Sequence, residues 1–315
     1  MDQFFQQLVN GLTLGSLYAL IAVGYTVVYG IVQLINFAHG EVFMIGAFGA
    51  LTTYLLFFDG QTEVWILPIM IVGAMIASVG TAVLMERVAY RPLRNAPRLA
   101  PLITAIGISV FLQEFVRLFY ERVPFVDFPS AKQRIPFPQI DVVTGKAVEI
   151  GGVTIQRAAI FTVAALAVCS VLLWYFINRT KLGRGMQAVS QDPDTARLMG
   201  INVDRIIVVA FALGAVLAAV AGVSQGLQNN NIDFRMGFLA GLKAFTAAVL
   251  GGIGNVFGAV VGGLVLGVVE SMATQYIPGQ FGGSTWKDVW AFVILILVLV
   301  FRPQGLLGAR VVDRA

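Results

Sequence analysis

An all-α, polytopic transmembrane bundle is the fold class that the sequence predicts, and three observations predict it. Counting glycine and leaving out tyrosine, about two-thirds of the 315 residues are apolar, against ~45–50% in soluble domains. Charged residues make up 12%, where ~25% is usual. The apolar residues fall in long runs near the ~20 residues that a crossing helix needs. A soluble fold of this size cannot hide so much apolar surface, because its outer face is wet. Membrane β-strands alternate every second residue, whereas these runs are apolar all round.

Nine candidate spans follow in order: Leu8–Gly30, Ile35–Phe58, Val64–Leu84, Pro101–Tyr120, Ala158–Ile177, Ile206–Gln228, Gly237–Gly251, Phe257–Tyr276 and Val289–Arg302. The seventh is short and carries Lys243, so it is a re-entrant candidate and the count is eight or nine. Lys and Arg orient the spans. No basic residue precedes Arg87, and a cleaved signal peptide would want a basic start, so the N-terminus is expected outside. Glu86–Ala100 holds Arg87, Arg91, Arg94 and Arg98, and further basic residues lie in Arg179–Arg205 and in the tail from Arg302, with Arg310 and Arg314. Together these segments hold 12 basic and 5 acidic residues; the other side holds 8 and 9, with Arg117 inside a span. With the basic segments in the cytoplasm the positive-inside rule is met, and nine crossings end at a cytoplasmic C-terminus. The formal charge of +4 is thus a topology signal and not a nucleic-acid patch. The chain reads as one membrane domain over 1–315, with an outer loop at 121–157 and a cytoplasmic loop at 179–205.

Pro124, Pro129, Pro136 and Pro138 forbid a long helix in the outer loop. Its end, Val148-Glu-Ile-Gly-Gly-Val-Thr-Ile155, alternates about a Gly-Gly pair and predicts a small β-hairpin. The loop is either a solvated connection or a docking surface for something outside.

The 34 glycines matter by position. Gly11 and Gly15 make one G-x-x-x-G step, and Gly254, Gly258 and Gly262 make two. Such rows let helix backbones approach closely in lipid. Two other runs, Gly24–Gly46 and Ala247–Gly263, are each interrupted by a Gly-containing turn and an Asn, Asn36 or Asn255. Paired interruptions in the two halves of a membrane protein point to a transport path. Ionisable residues inside spans point the same way, or make polar contacts between helices. His39, Glu41 and Glu270 therefore join Asn36 and Asn255 as path candidates. Glu114 and Arg117, three apart, are expected to pair on one helix face.

Other chemistries are excluded. One cysteine, Cys169, forms no internal disulfide, and one His with one Cys makes no structural zinc cluster. No metal or cofactor is expected on this chain. Gly222-Val-Ser-Gln-Gly226 matches G-x-S-x-G but ends an apolar helix and lacks a nearby His base. Gly183-Arg-Gly-Met-Gln-Ala188 has no βαβ context. No G-x-x-x-x-G-K-[ST] occurs, so no P-loop holds ATP here. The chain carries no catalytic constellation and is not expected to be an enzyme. ATP-driven transport would need another chain; an ion-coupled transporter or a passive channel would not.

The cytoplasmic loop predicts one short helix. Asp192 is a good N-cap, and Pro193 suits the first helical position. Asp194 in the first turn and Arg197 near the end suit the dipole, and Gly200 suits the C′ position. With Thr195, Ala196, Leu198 and Met199 it spans about seven residues, too few to stand alone. It must dock, on its own domain or on a cytoplasmic subunit.

Several runs carry a resemblance. They are N-F-A-H-G-E at Asn36–Glu41, E-R-V-A-Y-R-P-L-R at Glu86–Arg94, and L-I-T-A-I-G-I-S-V-F-L-Q at Leu102–Gln113. M-G-I-N-V-D-R at Met199–Arg205, A-G-L-K-A-F-T-A-A-V-L-G-G-I-G at Ala240–Gly254 and W-K-D-V-W-A-F at Trp286–Phe292 continue them. The chain resembles, over nearly its whole length, the LivH family of branched-chain amino acid ABC importer permeases. Permeases for urea, short amides and other neutral amino acids are similar. The resemblance implies a homologous second permease, two cytoplasmic ATPase subunits that bind the ATP, and a periplasmic or extracellular substrate-binding protein. It implies a multi-pass place in the inner (plasma) membrane. It makes Asp192–Gly200 the coupling helix, seated on an ATPase.

Overall fold

The computed structural model describes residues 2–34, 36–94, 96–97, 99–122, 128–283, 285–302 and 304–308. Ile35, at the head of the second candidate span, and Arg98, Pro124, Arg310 and Arg314 lie outside the described residues. The chain opens with α1 (Asp2–Val32), α2 (His39–Phe57), α3 (Ile66–Met85) and α4 (Leu99–Phe119). A small cap follows, with strands β1 (Ile135–Pro136), β2 (Lys146–Ile150) and β3 (Val153–Gln156). Then come α5 (Arg157–Arg179), the short α6 (Lys181–Gln191) and α7 (Pro193–Leu198), and α8 (Val203–Asn229). Strand β4 (Asn231–Ile232) leads to α9 (Met236–Gly251), α10 (Val256–Tyr276) and α11 (Lys287–Phe301).

Among the described residues seven helices, α1 to α5, α8 and α10, are long and apolar enough to cross a membrane. The expected polytopic bundle is therefore present. The other two candidate spans are the shorter α9 and α11, of 16 and 15 residues. At 1.5 Å per residue they reach roughly 24 and 22 Å, less than the ~30 Å hydrocarbon core.

Burial sorts the helices. In its most apolar stretch α1 is 83% buried and α5 only 17%. So α1 is the central post, and α5 shows its apolar face to lipid. Small residues permit the central packing. A Cβ on Gly11 would lie 2.6 Å from Val268 Cα, one on Gly15 2.8 Å from Leu264 Cα, and one on Gly263 2.6 Å from Ala19 Cα. The opposite face of α10 uses Gly258 and Gly262 against Gly251 and Ala247 of α9. Gly254 has open space around it and φ +94, so it is a turn residue at the head of α10.

The cap side of the bundle carries the strands. β2 and β3 form the expected antiparallel hairpin. Its turn, Gly151 and Gly152 at φ +55 and +80, is the left-handed pair that a two-residue hairpin needs. The Gln6 side-chain amide on α1 pairs with Thr154 like a further strand, accepting from its N–H at 2.7 Å and donating to its carbonyl at 3.1 Å. β1 pairs with β4 ahead of α9. The opposite, loop side carries α6 and α7.

Candidate functional site

The first interrupted run builds a broken entry into the bundle. α1 ends at Val32, yet the His39 ring lies against Gly24, eight residues back, where a Cβ would meet Nε2 at 2.5 Å. Eight residues are roughly 12 Å of helix. The chain thus climbs back about two turns before α2 begins inside the bundle. Backbone at such depth must be satisfied by protein. Asn36 is 3% exposed, and its Oδ1 accepts from the Tyr90 hydroxyl at 2.7 Å. His39 is buried and stacks edge-on to Tyr25 at 4.6 Å.

Glu41 follows in the first turn of α2, fully buried. Its Oε1 accepts from Ser109 Oγ at 2.9 Å and Gln113 Nε2 at 2.8 Å, both on α4. The first turn of α9 crosses here. A Cβ on Gly237 would lie 2.5 Å from Glu41 Oε2, and one on Gly241 2.9 Å from Gly40 Cα. Two helix N-termini therefore meet, and their partial positive charges face one carboxyl.

A cavity of about 500 Å³ lies beside this junction on the cap side. Tyr18 of α1, Gln225 and Gln228 of α8, Arg235, Lys243 of α9 and Asp288 of α11 line it. At its floor Lys243 is only 5% exposed. Its Nζ donates to Glu270 Oε1 at 2.7 Å and Tyr18 Oη at 3.1 Å, and Tyr18 donates to Glu270 Oε2 at 3.0 Å. Asp288 adds a second ion pair at 2.5 Å. Four helices are tied by this one group.

On the loop side, Asp192 caps α7, its Oδ1 accepting from the Asp194 and Thr195 N–H groups. The Thr195 hydroxyl bond and these amides hold its carboxyl below the usual range. Gly200, at φ +81, closes the other end: its N–H donates to Arg197 O and that of Ile201 to Ala196 O, both at 3.0 Å. Ala196 is buried against the domain, whereas Leu198 and Met199 are 87% and 78% exposed. Behind α7, Arg94 pairs with both Glu86 and Asp204, and Arg91 reaches Asp204 at 2.7 Å. Glu86 is buried because a π-turn at Glu86–Tyr90 prolongs α3 beyond the third candidate span.

The path candidates separate in space. Asn36, His39 and Glu41 share the broken entry. Glu270 is buried behind the cavity wall, paired with Lys243, which lines it. Asn255 is the N-cap of α10 at the loop-side end, accepting from Phe257 N and Gly258 N and donating to Leu307 O at 2.9 Å. Glu114 and Arg117 pair at 2.8 Å. Sequence reasoning does not find Lys243 and Tyr18 as partners of Glu270, or Asp288 as the second partner of Lys243; a lysine inside an apolar run is the available signal. Among the described residues no three His, Cys, Asp or Glu side chains gather as a metal site.

Crossing helices with one broken entry, packed around a polar cavity, define a polytopic membrane permease. Residues 7–299 match the family described as branched-chain amino acid transport system / permease component, and the chain belongs to that family. It is 47% identical to the high-affinity branched-chain amino acid transport system permease protein BraD of Pseudomonas aeruginosa, covering 99% of this chain and 98% of the relative. It is 44% identical to the LivH permease of Escherichia coli K12, covering 99% and 97%. A solved protein described as a metal-chelate type ABC transporter, facing inward, is similar in fold at TM-score 0.50. It is 17% identical, over 95% of this chain and 85% of that one.

Proposed function

We propose that this chain is the membrane permease subunit of an ABC importer for branched-chain or similar small neutral amino acids. A homologous second permease pairs with it, and two separate cytoplasmic ATPase subunits bind and hydrolyse the ATP. A periplasmic or extracellular binding protein delivers the substrate to the cap side. The N-terminus is outside and the C-terminus cytoplasmic, which puts α7 in the cytoplasm as the coupling helix. The near-full-length identity to BraD and LivH carries the reading. The exposed Leu198 and Met199 support the role of α7, since large apolar side chains in such positions suit a partner's groove.

Reconstitution of the assembled transporter in proteoliposomes tests this. The expected result is ATP-dependent leucine uptake that the loaded binding protein stimulates. Leu198→Asp with Met199→Asp is expected to release the ATPases and abolish uptake; unchanged association would sink the coupling role. Uptake that ignores ATP but collapses with a proton or sodium gradient would assign an ion-coupled transporter instead.

A further inference from the structure

We propose that the floor of the cap-side cavity is a zwitterion site. The Lys243–Glu270–Asp288 group receives the α-ammonium of a neutral amino acid, and the basic rim above it receives the carboxylate. The inference rests on the permease reading and adds to it: the permease itself, and not the delivering protein alone, reads both charged ends of the substrate.

Charge count points to the ammonium. The floor holds one ammonium against two carboxyl groups, so it is one cation short. Lys243 is already committed to Glu270, Tyr18 and Asp288. It is not free to take a substrate carboxylate. The excess is presented by Asp288, whose side chain is 34% exposed and lines the cavity. Its Oδ1 is buried beside Lys243 without forming a hydrogen bond, so the exposed remainder of the carboxylate is what the cavity is offered. A carboxylate short of donors gains most from one that carries positive charge.

The rest of the lining is net positive. Arg134, Arg235 and Lys287 line the same cavity against one further acid, Asp233, whose Oδ1 accepts from the Arg235 backbone N–H at 2.8 Å. Among the described residues none of the three forms a salt bridge. The same lining includes Leu14, Ile232, Met236 and Leu239. An anionic floor, a cationic rim and an apolar wall match an amino acid with an apolar side chain. The volume of about 500 Å³ lies within the ~300–1,000 Å³ usual for small-molecule sites.

The test follows the charge count in the complete transporter, reading leucine uptake in proteoliposomes. Asp288→Asn and Glu270→Gln each bring the floor to neutrality. Each is expected to lower uptake about tenfold or more, the effect of one lost charge-assisted contact. Lys243→Met with Glu270→Gln restores one net negative charge and is expected to recover most of the uptake. If the group only staples helices, this double variant stays as low as Glu270→Gln, and the proposal falls. It also falls if Asp288→Asn transports like the wild type. A wild-type complex that moves no amino acid overturns the permease reading instead.

Discussion

Glu41 shows what a single residue does at a broken helix. The N-termini of α2 and α9 abut inside the bundle, and like dipole ends repel in a medium that screens poorly. Glycine at Gly40, Gly237 and Gly241 lets the backbones come close enough for the problem to arise. The Glu41 carboxyl answers it, and Ser109 and Gln113 hold it in place. Glu41→Gln keeps the shape but can carry no negative charge. Glu41→Ala also leaves a void and strands two donors, which destabilises by about 2–4 kcal/mol. Thermal unfolding of the purified protein should rank wild type above Gln and Gln above Ala. Equal midpoints for all three would mean that the carboxyl does not compensate the two helix ends.

At the scale of elements, α10 is a strip of glycine wedged between α1 and α9. Gly263→Val would drive a branched side chain into Ala19 backbone, which has no freedom to move aside. Overpacking of that kind destabilises by about 1–3 kcal/mol or more. Gly80→Ala on α3 meets nothing within 4 Å and should be neutral or slightly stabilising. Expression and unfolding midpoint of the two variants check this contrast. The packing positions Gly11, Gly15, Gly258 and Gly262, the apolar runs, the hairpin and the α7 caps were legible because each is written in local spacing, whereas Gly254 shares that spacing and is a turn residue. Contacts between distant segments were not. Tyr18 and Lys243 meet across 225 positions, and Asn36 and Tyr90 across 54. Nor could local pattern separate the two interrupted runs. Gly24–Gly46 climbs back into the bundle. Ala247–Gly263 closes as a tight helical hairpin, because Leu306 and Leu307 from the tail donate to the Leu250 and Gly251 carbonyls.

On the proposed function, the whole molecule connects α7 to a cavity near its other side. α8 begins at Val203, after four intervening residues, and runs to the cap, packed on α2 through Gly222, where a Cβ would lie 2.5 Å from Phe43 O. Arg94 fastens the foot of α8, through Asp204, to buried Glu86 at the end of α3. On the proposed function a push on α7 would move α8 and α3 together, since these two pack on each other and both on α2. Arg94→Met alone would strand the Glu86 charge, a loss of about 3–5 kcal/mol that unfolding would report without touching coupling. Removing both charges, as Glu86→Gln with Arg94→Gln, avoids that penalty and loosens only the joint. On the proposed function, this double variant should still assemble and hydrolyse ATP at close to the normal rate. Its yield of amino acid moved per ATP, measured in proteoliposomes, should fall several-fold. An unchanged yield would mean that the force reaches the cavity by a route other than the α3–α8 joint.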